Sequence, residues 1–275
     1  MKKAKKKKML LTVVAIIVTA IHIIPLAMII LNSFRSNEEI FVSMMGIPTS
    51  LNLENYLVAW NKGGYASAYV NSLFIGVCTS ALELMVIGLA VYGIKKADCF
   101  GKKFFSTYFV AGLAIPTFAI LVPLFSTYNK LGLLNTRMGL VIIYVATNMS
   151  FNYMFLSAFF DGMSKELDEA ARIDGASEMQ NFIYNVLPLA KPIFTSIVLI
   201  TFVNTWNEFM FSNTFMQQEA MRTVSLRFYN FVGGTRTDYG YVYAAAIISI
   251  LPVVIIYMFS QNSFIEGMTA GSVKG

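Results

Sequence analysis

The stretch SKELDEAARIDGASEMQNFIYNVLPLAKP, residues 164–192, carries the densest local structural signals in the chain. Ser164 predicts the cap of a first helix that runs to Ile173, and Asp174-Gly175 predicts its left-handed stop. The pattern Ser177-Glu178-Met179-Gln180 matches a capping box and predicts a second helix. Apolar residues then recur at helical spacing and predict one buried face: Met179, Phe182, Ile183, Val186 and Leu187. The stretch therefore predicts a folded helical hairpin.

The hairpin is acidic in a basic protein. Residues 161–191 hold six of the 15 acidic residues of the chain, and their net charge is −3 against +6 for the whole. A solvated amphipathic connector is the ordinary explanation for such a segment. The bend, however, is lined by small side chains, which let another surface approach closely: Ala170, Ala171, Gly175 and Ala176. We therefore predict a docking site.

On either side of the hairpin the chain is strongly apolar. Hydrophobic residues make up 56% of the 275 residues and charged residues 13%, about half of the ~25% in a soluble domain. These values exclude an ordinary soluble enzyme and a disordered chain, and two cysteines exclude a disulfide scaffold. A 20-residue window finds six candidate spans: 9–32, 69–93, 105–128, 138–160, 193–212 and 239–261. Pro116 is predicted to interrupt the third span, and Asn148-Met149-Ser150 the fourth.

The Lys and Arg residues predict the orientation of these spans. If the N-terminus is cytoplasmic, 14 of the 21 basic residues lie on the cytoplasmic side, which the positive-inside rule favours. An even number of spans then places both termini in the cytoplasm. Because the basic residues flank apolar spans, topology explains the high pI, and we predict no nucleic-acid binding.

Two formal charges, Glu83 and Glu208, fall within the predicted spans. Carboxylates at membrane depth usually face a bundle interior or an aqueous path, so both are candidates for a translocation path. Glu208 lies beside Asn204, Trp206 and Asn207, which could hydrogen-bond the hydroxyl groups of a ligand and stack on its ring. Equally, Trp206 could belong to an interfacial aromatic belt and Glu208 could pair with another subunit. For Glu83 we favour an interhelical hydrogen bond.

Motifs for chemistry are missing from the sequence. No G-x-x-x-x-G-K-[ST] loop occurs, so nucleotide hydrolysis would have to come from a partner. We predict no catalytic residues, no metal ligands and no cofactor bound by this chain. An intramembrane enzyme and a channel acting alone remain as alternatives; the missing catalytic motifs argue against the first and the docking hairpin against the second.

The hairpin also carries a family resemblance. Residues 169–176 (EAARIDGA), with Phe182, 187–189 (LPL) and 191–192 (KP), resemble the EAA motif of binding-protein-dependent ABC importer permeases. Other segments resemble the maltose-G-type subunit of the carbohydrate-uptake branch: 71–73 (NSL), 89–93 (LAVYG), 206–209 (WNEF) and 266–275 (EGMTAGSVKG). Gly93 and Lys95 replace the alanine and arginine that are common there.

The resemblance implies a fold and a function. The expected fold is an all-α integral membrane protein with six transmembrane helices, the type I ABC importer permease fold, and cytoplasmic termini. Its parts would be residues 1–68, a core of five helices over 69–261 with the coupling loop at 161–191, and a cytoplasmic tail over 262–275. Such a subunit translocates a sugar or oligosaccharide across the cytoplasmic membrane of a prokaryote.

The resemblance also implies partners and contact residues. These partners are a second permease subunit in a heterodimer, an ATPase dimer that binds ATP and Mg, an extracytoplasmic sugar-binding protein and membrane lipid. The expected ATPase contacts are Glu169, Ala170, Ala171, Asp174, Gly175 and Ala176 in the hairpin, and Glu266, Gly267, Thr269 and Gly271 in the tail. The external stretch 213–238 would extend toward the binding protein, or serve only as a connector.

Overall fold

The structure is a computed structural model that describes residues 2–97, 99–232 and 237–270. Among these, the side chains of residues 2–5, 7, 263, 265, 266 and 268–270 lie outside the description. Within the described ranges the secondary structure is helical throughout, and no strand occurs.

The helices alternate between long apolar segments and short connecting ones. They are α1 (Lys2–Asn32), α2 (Asn37–Val42), α3 (Glu54–Lys62), α4 (Tyr65–Lys95), α5 (Lys102–Ala111), α6 (Leu121–Leu131), α7 (Arg137–Gly162), α8 (Lys165–Ile173), α9 (Glu178–Asn181), α10 (Leu187–Leu189), α11 (Lys191–Asn207), α12 (Met210–Phe215), α13 (Val224–Val232) and α14 (Tyr239–Ala270). Short 3₁₀ turns cover Gly112–Ala114, Thr117–Ile120 and Glu219–Met221, and a π-helical turn covers Phe182–Val186.

Among the described residues, four helices are long and apolar enough to cross a membrane: Lys8–Asn32, Tyr65–Lys95, Arg137–Gly162 and Tyr239–Asn262. Two bent pairs raise the number to six if each is one span. Lys102–Ala114 and Thr117–Leu131 meet at 91°, and Glu178–Leu189 and Lys191–Asn207 meet at 78°. The six predicted spans are therefore all present as apolar helical segments, two of them as parts of bent pairs.

Proline explains the first bend. Ile115 and Pro116 are extended, with ψ of 117° and 114°, because the ring of a proline disfavours the helical conformation of the residue before it. The predicted interruption at Pro116 is confirmed. The one predicted at Asn148-Met149-Ser150 is wrong, since α7 passes through these residues unbroken.

One predicted span end differs from the structure. The fifth span was predicted to run to Ser212, but α11 ends at Asn207, and Glu208 is extended with ψ of 129° before α12 begins. Hydropathy alone missed this end, because an apolar run continues through a helix break. The last span, predicted over 239–261, agrees with the apolar segment Tyr239–Asn262, although α14 itself continues to Ala270.

The chain divides into two compact units. One consists of Met1–Ala66 and Arg227–Leu251. In it the buried Arg35 guanidinium closes the turn after α1, donating 2.7 Å hydrogen bonds to the side chain of Asn32 and to the carbonyl oxygens of Glu39 and Ser43. This guanidinium therefore holds α2 against the end of α1.

The other unit consists of Ser67–Leu226 and Pro252–Gly275. One of its apolar cores includes Ile87 of α4, Leu156 of α7 and Ile197 of α11. The amide of Asn152 lies between the same three helices and donates 3.0 Å hydrogen bonds to Glu83 Oε1 and Thr201 Oγ1. The predicted interhelical hydrogen bond of Glu83 is confirmed, and its side chain is fully buried.

Candidate functional site

The helical hairpin forms as its local signals predict. The Ser164 side chain accepts a hydrogen bond from the Glu166 amide at the start of α8. Gly175 adopts a φ of 78°, the left-handed conformation that glycine reaches at little cost. Ser177 and Gln180 complete a capping box at the start of α9. Because caps act within four residues, sequence alone was sufficient here.

The predicted ATPase contacts do not all lie on one surface of the hairpin. Glu169, Ala170, Asp174 and Gly175 are exposed, and Ala176 is half-buried. Ala171 is only 6% exposed and packs inside the hairpin. The first four are exposed and can meet a partner surface, whereas Ala171 is buried and cannot.

The predicted buried face of the second helix is partly wrong. Phe182 and Val186 are buried, but Met179, Ile183 and Leu187 are 55%, 43% and 37% exposed. A π-helical turn over Phe182–Val186 shifts the side-chain period from Phe182 onward, which affects Ile183 and Leu187 but not Met179 in α9. The hairpin presents further apolar side chains to its surroundings: Leu167, Ile173, Tyr184 and Leu189. An apolar surface of this kind marks a protein or membrane contact.

Part of the predicted tail approaches α11. Gly267 is buried, and a Cβ atom at this position would clash with Ser196 Oγ and the carbonyl oxygen of Pro192. Glycine is therefore needed where α14 passes the first turns of α11. The side chains of Glu266 and Thr269, and all of Gly271, lie outside the described residues.

A cavity of about 500 Å³ opens beside the bend at Pro116 and the break at Glu208 between α11 and α12. Its walls come from the Pro116 bend, the middle of α7, the end of α11 and the start of α12. The lining residues are Pro116, Thr117, Phe118, Tyr144, Thr147, Asn148, Asn204, Thr205, Glu208 and Phe211. The cavity thus presents amides, hydroxyls and two phenylalanine rings around a single carboxylate.

That carboxylate, Glu208, is fully engaged within the chain. Its Oε1 atom accepts a hydrogen bond from the Phe211 amide at 2.8 Å, and its Oε2 atom accepts one from the Ser212 amide at 3.0 Å. Tyr144 of α7 donates a third, at 2.5 Å, to Oε2. Glu208 therefore caps α12, and three internal donors stabilise its carboxylate.

The cavity amides also interact with each other. Asn204 donates from Nδ2 to Oδ1 of Asn148 at 3.2 Å, and Asn148 donates to the carbonyl oxygen of Tyr144 at 2.8 Å. The Asn204 side chain is exposed and has donor and acceptor capacity left for a ligand. Tyr144 and Asn148 were not predicted beside Glu208, because they lie far from it in sequence, in a span (138–160) that has no charged residue.

Three residues predicted for the translocation path do not line this cavity. Glu83 is buried among α4, α7 and α11. Trp206 is 3% exposed and packs against Tyr69 and Phe202, with ring centroids 5.7 Å apart in both pairs. Its indole is therefore available neither to a sugar nor to an interfacial belt. Asn207 is exposed but does not line the cavity.

The segment after α12 is anchored by α4. Buried Asn71 donates hydrogen bonds to the carbonyl oxygens of Ala220 at 2.9 Å and Arg222 at 3.0 Å, and it accepts one from Arg137 Nε at 2.8 Å. These hydrogen bonds fix the backbone of Ala220 and Arg222 to α4, and an extension of this segment toward a binding protein stays a prediction. Residues 233–236, which include the Gly233-Gly234 pair, lie outside the described residues.

Among the described residues, no three His, Cys, Asp or Glu side chains group closely enough to hold a metal ion. Neither the amide-lined cavity nor the acidic hairpin therefore contains such a group among the described residues.

Known proteins share this architecture. The profile of the family described as "Binding-protein-dependent transport system inner membrane component" matches residues 84–269. The probable ABC transporter permease protein YurM of Bacillus subtilis is 34% identical over 251 residues, which cover 91% of this chain and 83% of that protein. The trehalose/maltose transport system permease protein MalG of Thermococcus litoralis is 32% identical, with 98% of each chain covered.

A further relative and a solved structure extend the match to the whole chain. The melibiose/raffinose/stachyose import permease protein MelC of Bacillus subtilis is 31% identical over all of both chains. A crystal structure of a bacterial ABC transporter involved in the import of the acidic polysaccharide alginate contains a chain that matches with a TM-score of 0.84 at 22% identity. The match covers 96% of this chain and 98% of that one.

Proposed function

Because the chain belongs to the family of binding-protein-dependent transport system inner membrane components, we propose that it moves a neutral sugar or oligosaccharide into the cell. Members of this family are permease subunits of ABC importers, which are transport subunits rather than enzymes. The chain is accordingly a multi-pass protein of the cell membrane with the type I ABC importer permease fold.

The cavity beside the broken helices is the observation that supports a neutral cargo. Among its lining residues Glu208 is the sole formal charge, and all three of its hydrogen bonds come from the chain itself. The remaining polar groups are hydroxyls and the Asn148 and Asn204 amides, which match sugar hydroxyls as donors and acceptors. Phe118, 64% exposed, offers an aromatic face for a pyranose ring. No basic side chain lines the cavity to bind an acidic sugar.

The hairpin supports a second part of the proposal, the coupling to an ATPase. Glu169 and Asp174 would supply polar contacts at its exposed tip, with Ala170, Gly175 and Ala176 permitting close approach. ATP and Mg would be bound by that partner and not by this chain. The exposed Ile173, 85% accessible, would be covered by the docked ATPase.

The complete assembly would contain this chain, a second permease subunit, two ATPase copies and an extracytoplasmic sugar-binding protein. Family membership implies an ATPase and a binding protein as partners. The heterodimer, the cytoplasmic termini and the contact of the tail residues with the ATPase are parts of the proposal. The basic residues at the start of α1 and after α4 favour this orientation.

Purification and transport test the proposal together. An affinity tag on this chain should recover an ATPase and a second membrane-spanning permease. Reconstituted with its binding protein, the complex should take up one of maltotriose, raffinose or an arabino-oligosaccharide when ATP is added, and should not take up an alginate oligomer. Activity of the purified chain alone would support a channel or an enzyme instead. Preferred uptake of the acidic oligomer would contradict the neutral cargo.

A further inference from the structure

A buried ion pair joins the hairpin to the end of α4. Lys96 follows the last residue of α4, and its Nζ atom lies 2.9 Å from Oδ2 of Asp168 on α8. The two side chains are only 6% and 10% exposed. The other carboxylate oxygen, Oδ1, accepts a hydrogen bond from the Asn181 amide at 3.1 Å. Asp168 is thus held from α4 and from α9 at once.

A second set of contacts closes the same junction. Tyr92, one turn before Lys96, donates a 2.7 Å hydrogen bond to Glu178 Oε2 and accepts one from Asn181 at 3.1 Å. Arg172 binds Glu178 Oε1 and also donates to the carbonyl oxygen of Lys96 at 3.2 Å. We call this set the α4–hairpin network: Tyr92, Lys96, Asp168, Arg172, Glu178 and Asn181.

The buried location decides how firmly the network holds. An exposed ion pair contributes little, because water screens it and both side chains lose freedom. A buried pair is different, since removing either partner leaves an uncompensated charge. The network therefore resists separation of α8 and α9 from α4, and it fixes their relative direction through several hydrogen bonds.

Nearer its middle, α4 is also hydrogen-bonded to the interior of the helix bundle. Asn152 of α7 links Glu83 of α4 to Thr201 of α11 through two 3.0 Å hydrogen bonds. Hydrogen bonds therefore connect α4 with two helices that supply walls of the cavity.

We propose that Lys96, Asp168, Asn181 and Tyr92 are positioning residues that make the hairpin and α4 move as one body, so that ATPase closure reaches the translocation cavity. This inference rests on the proposed docking of the hairpin to an ATPase. It assigns the transmission of force to residues that do not contact the partner. Asp168 is the central residue of the α4–hairpin network. In the sequence it is only one of the six acidic residues of 161–191.

The test uses the whole transporter purified through a tag on this chain. Lys96→Gln and Asp168→Asn should assemble with the partners and keep basal ATPase activity. Binding-protein-stimulated ATPase activity and uptake should each fall about tenfold, within the usual range for coupling between sites. The double variant should be no worse than either single variant, because the two side chains act as a unit.

Neighbouring residues provide matched controls. Lys95 pairs with Asp161 at 2.8 Å, but these side chains are 25% and 55% exposed, so Lys95→Gln should transport as the wild type does. Lys96→Arg keeps the charge and should retain most of the uptake. Tyr92→Phe removes only the hydroxyl that joins Glu178 to Asn181, and it should lower stimulated ATPase activity a few-fold with assembly intact.

Each result has a distinct meaning. Wild-type stimulated ATPase activity and uptake in an assembled Lys96→Gln complex would overturn the inference. Loss of both activities in the Lys96→Arg complex, which keeps the charge, would also overturn it. If Lys96→Gln does not assemble, Tyr92→Phe decides, and normal coupling in that variant overturns the inference. A Gly175→Trp complex measured in parallel tests the docking itself. Its normal uptake beside a defective Lys96→Gln complex would reject the docking and leave the network in place.

Discussion

The hydroxyl group of Tyr144 donates a 2.5 Å hydrogen bond to Oε2 of Glu208, joining the middle of α7 to the break between α11 and α12. Glu208 also accepts from two amides of α12, and its own carbonyl oxygen accepts a 2.6 Å hydrogen bond from Ser225. One residue therefore joins the helix break, a wall of the cavity and the start of α13.

We expect Glu208→Ala to destabilise this region. Loss of the α12 cap costs about 1 kcal/mol, and the buried Tyr144 hydroxyl loses its acceptor. The apparent melting temperature of the tagged chain in detergent should fall. Glu208→Gln keeps one carbonyl oxygen and should fall less. Asn207→Ala, at the exposed neighbouring residue, is the control and should melt as the wild type does; a wild-type melting temperature for Glu208→Ala would reject the capping role.

Two substitutions of Gly175, at the tip of the hairpin, distinguish the effect of steric bulk from that of backbone strain. Gly175 has a φ of 78°, and a Cβ atom there would meet nothing within 4 Å in the chain. Asn tolerates the left-handed conformation, so Gly175→Asn should assemble and couple almost normally. Gly175→Trp adds bulk where a partner should approach, and it should lower uptake at least about tenfold at unchanged membrane abundance. Equal uptake by the two variants would contradict close approach at this residue.

The amides of the cavity should affect transport and not folding. Asn204→Leu removes an exposed donor and acceptor from the cavity wall, and uptake of the neutral cargo should fall several-fold, since each lost hydrogen bond contributes about 1 kcal/mol. Asn207→Leu makes the same replacement outside the cavity and should transport normally. Initial uptake rates in proteoliposomes measure the difference. Matching rates for the two variants would remove Asn204 from the path.

Two glycine-to-alanine replacements test the seat of the C-terminal helix. A methyl group at Gly267 would clash with Ser196 and the Pro192 carbonyl oxygen, so Gly267→Ala should lower the melting temperature and loosen α14 from α11. Gly93→Ala, in the interior of α4, meets no atom within 4 Å and should leave the melting temperature unchanged or raise it. Thermal unfolding of the detergent-solubilised chain measures both effects. An unchanged melting temperature for Gly267→Ala would show that the contact between α14 and α11 accommodates a methyl group.

Local signals predicted local structure well. The caps at Ser164 and Ser177, the glycine stop at Gly175 and the Pro116 break all depend on residues within one turn, and all four are confirmed. The prediction of one buried face on the second hairpin helix is partly wrong, and from Phe182 onward a π-helical turn changes the side-chain period. Nothing in the apolar spacing of Phe182–Val186 distinguishes the π turn from an α-helix.

The sequence by itself determined the membrane class, the six apolar segments, the hairpin and its acidity, because composition, hydropathy and capping are properties of neighbouring residues. Only the tertiary structure decided which charges are paired and which polar groups share a cavity. Asp168 and Glu169 are adjacent acids, yet one is buried against Lys96 and the other is exposed. Asn204 and Trp206 lie two residues apart, yet one lines the cavity and the other packs in the interior. Helix rotation sets these differences, and packing against distant segments sets the rotation.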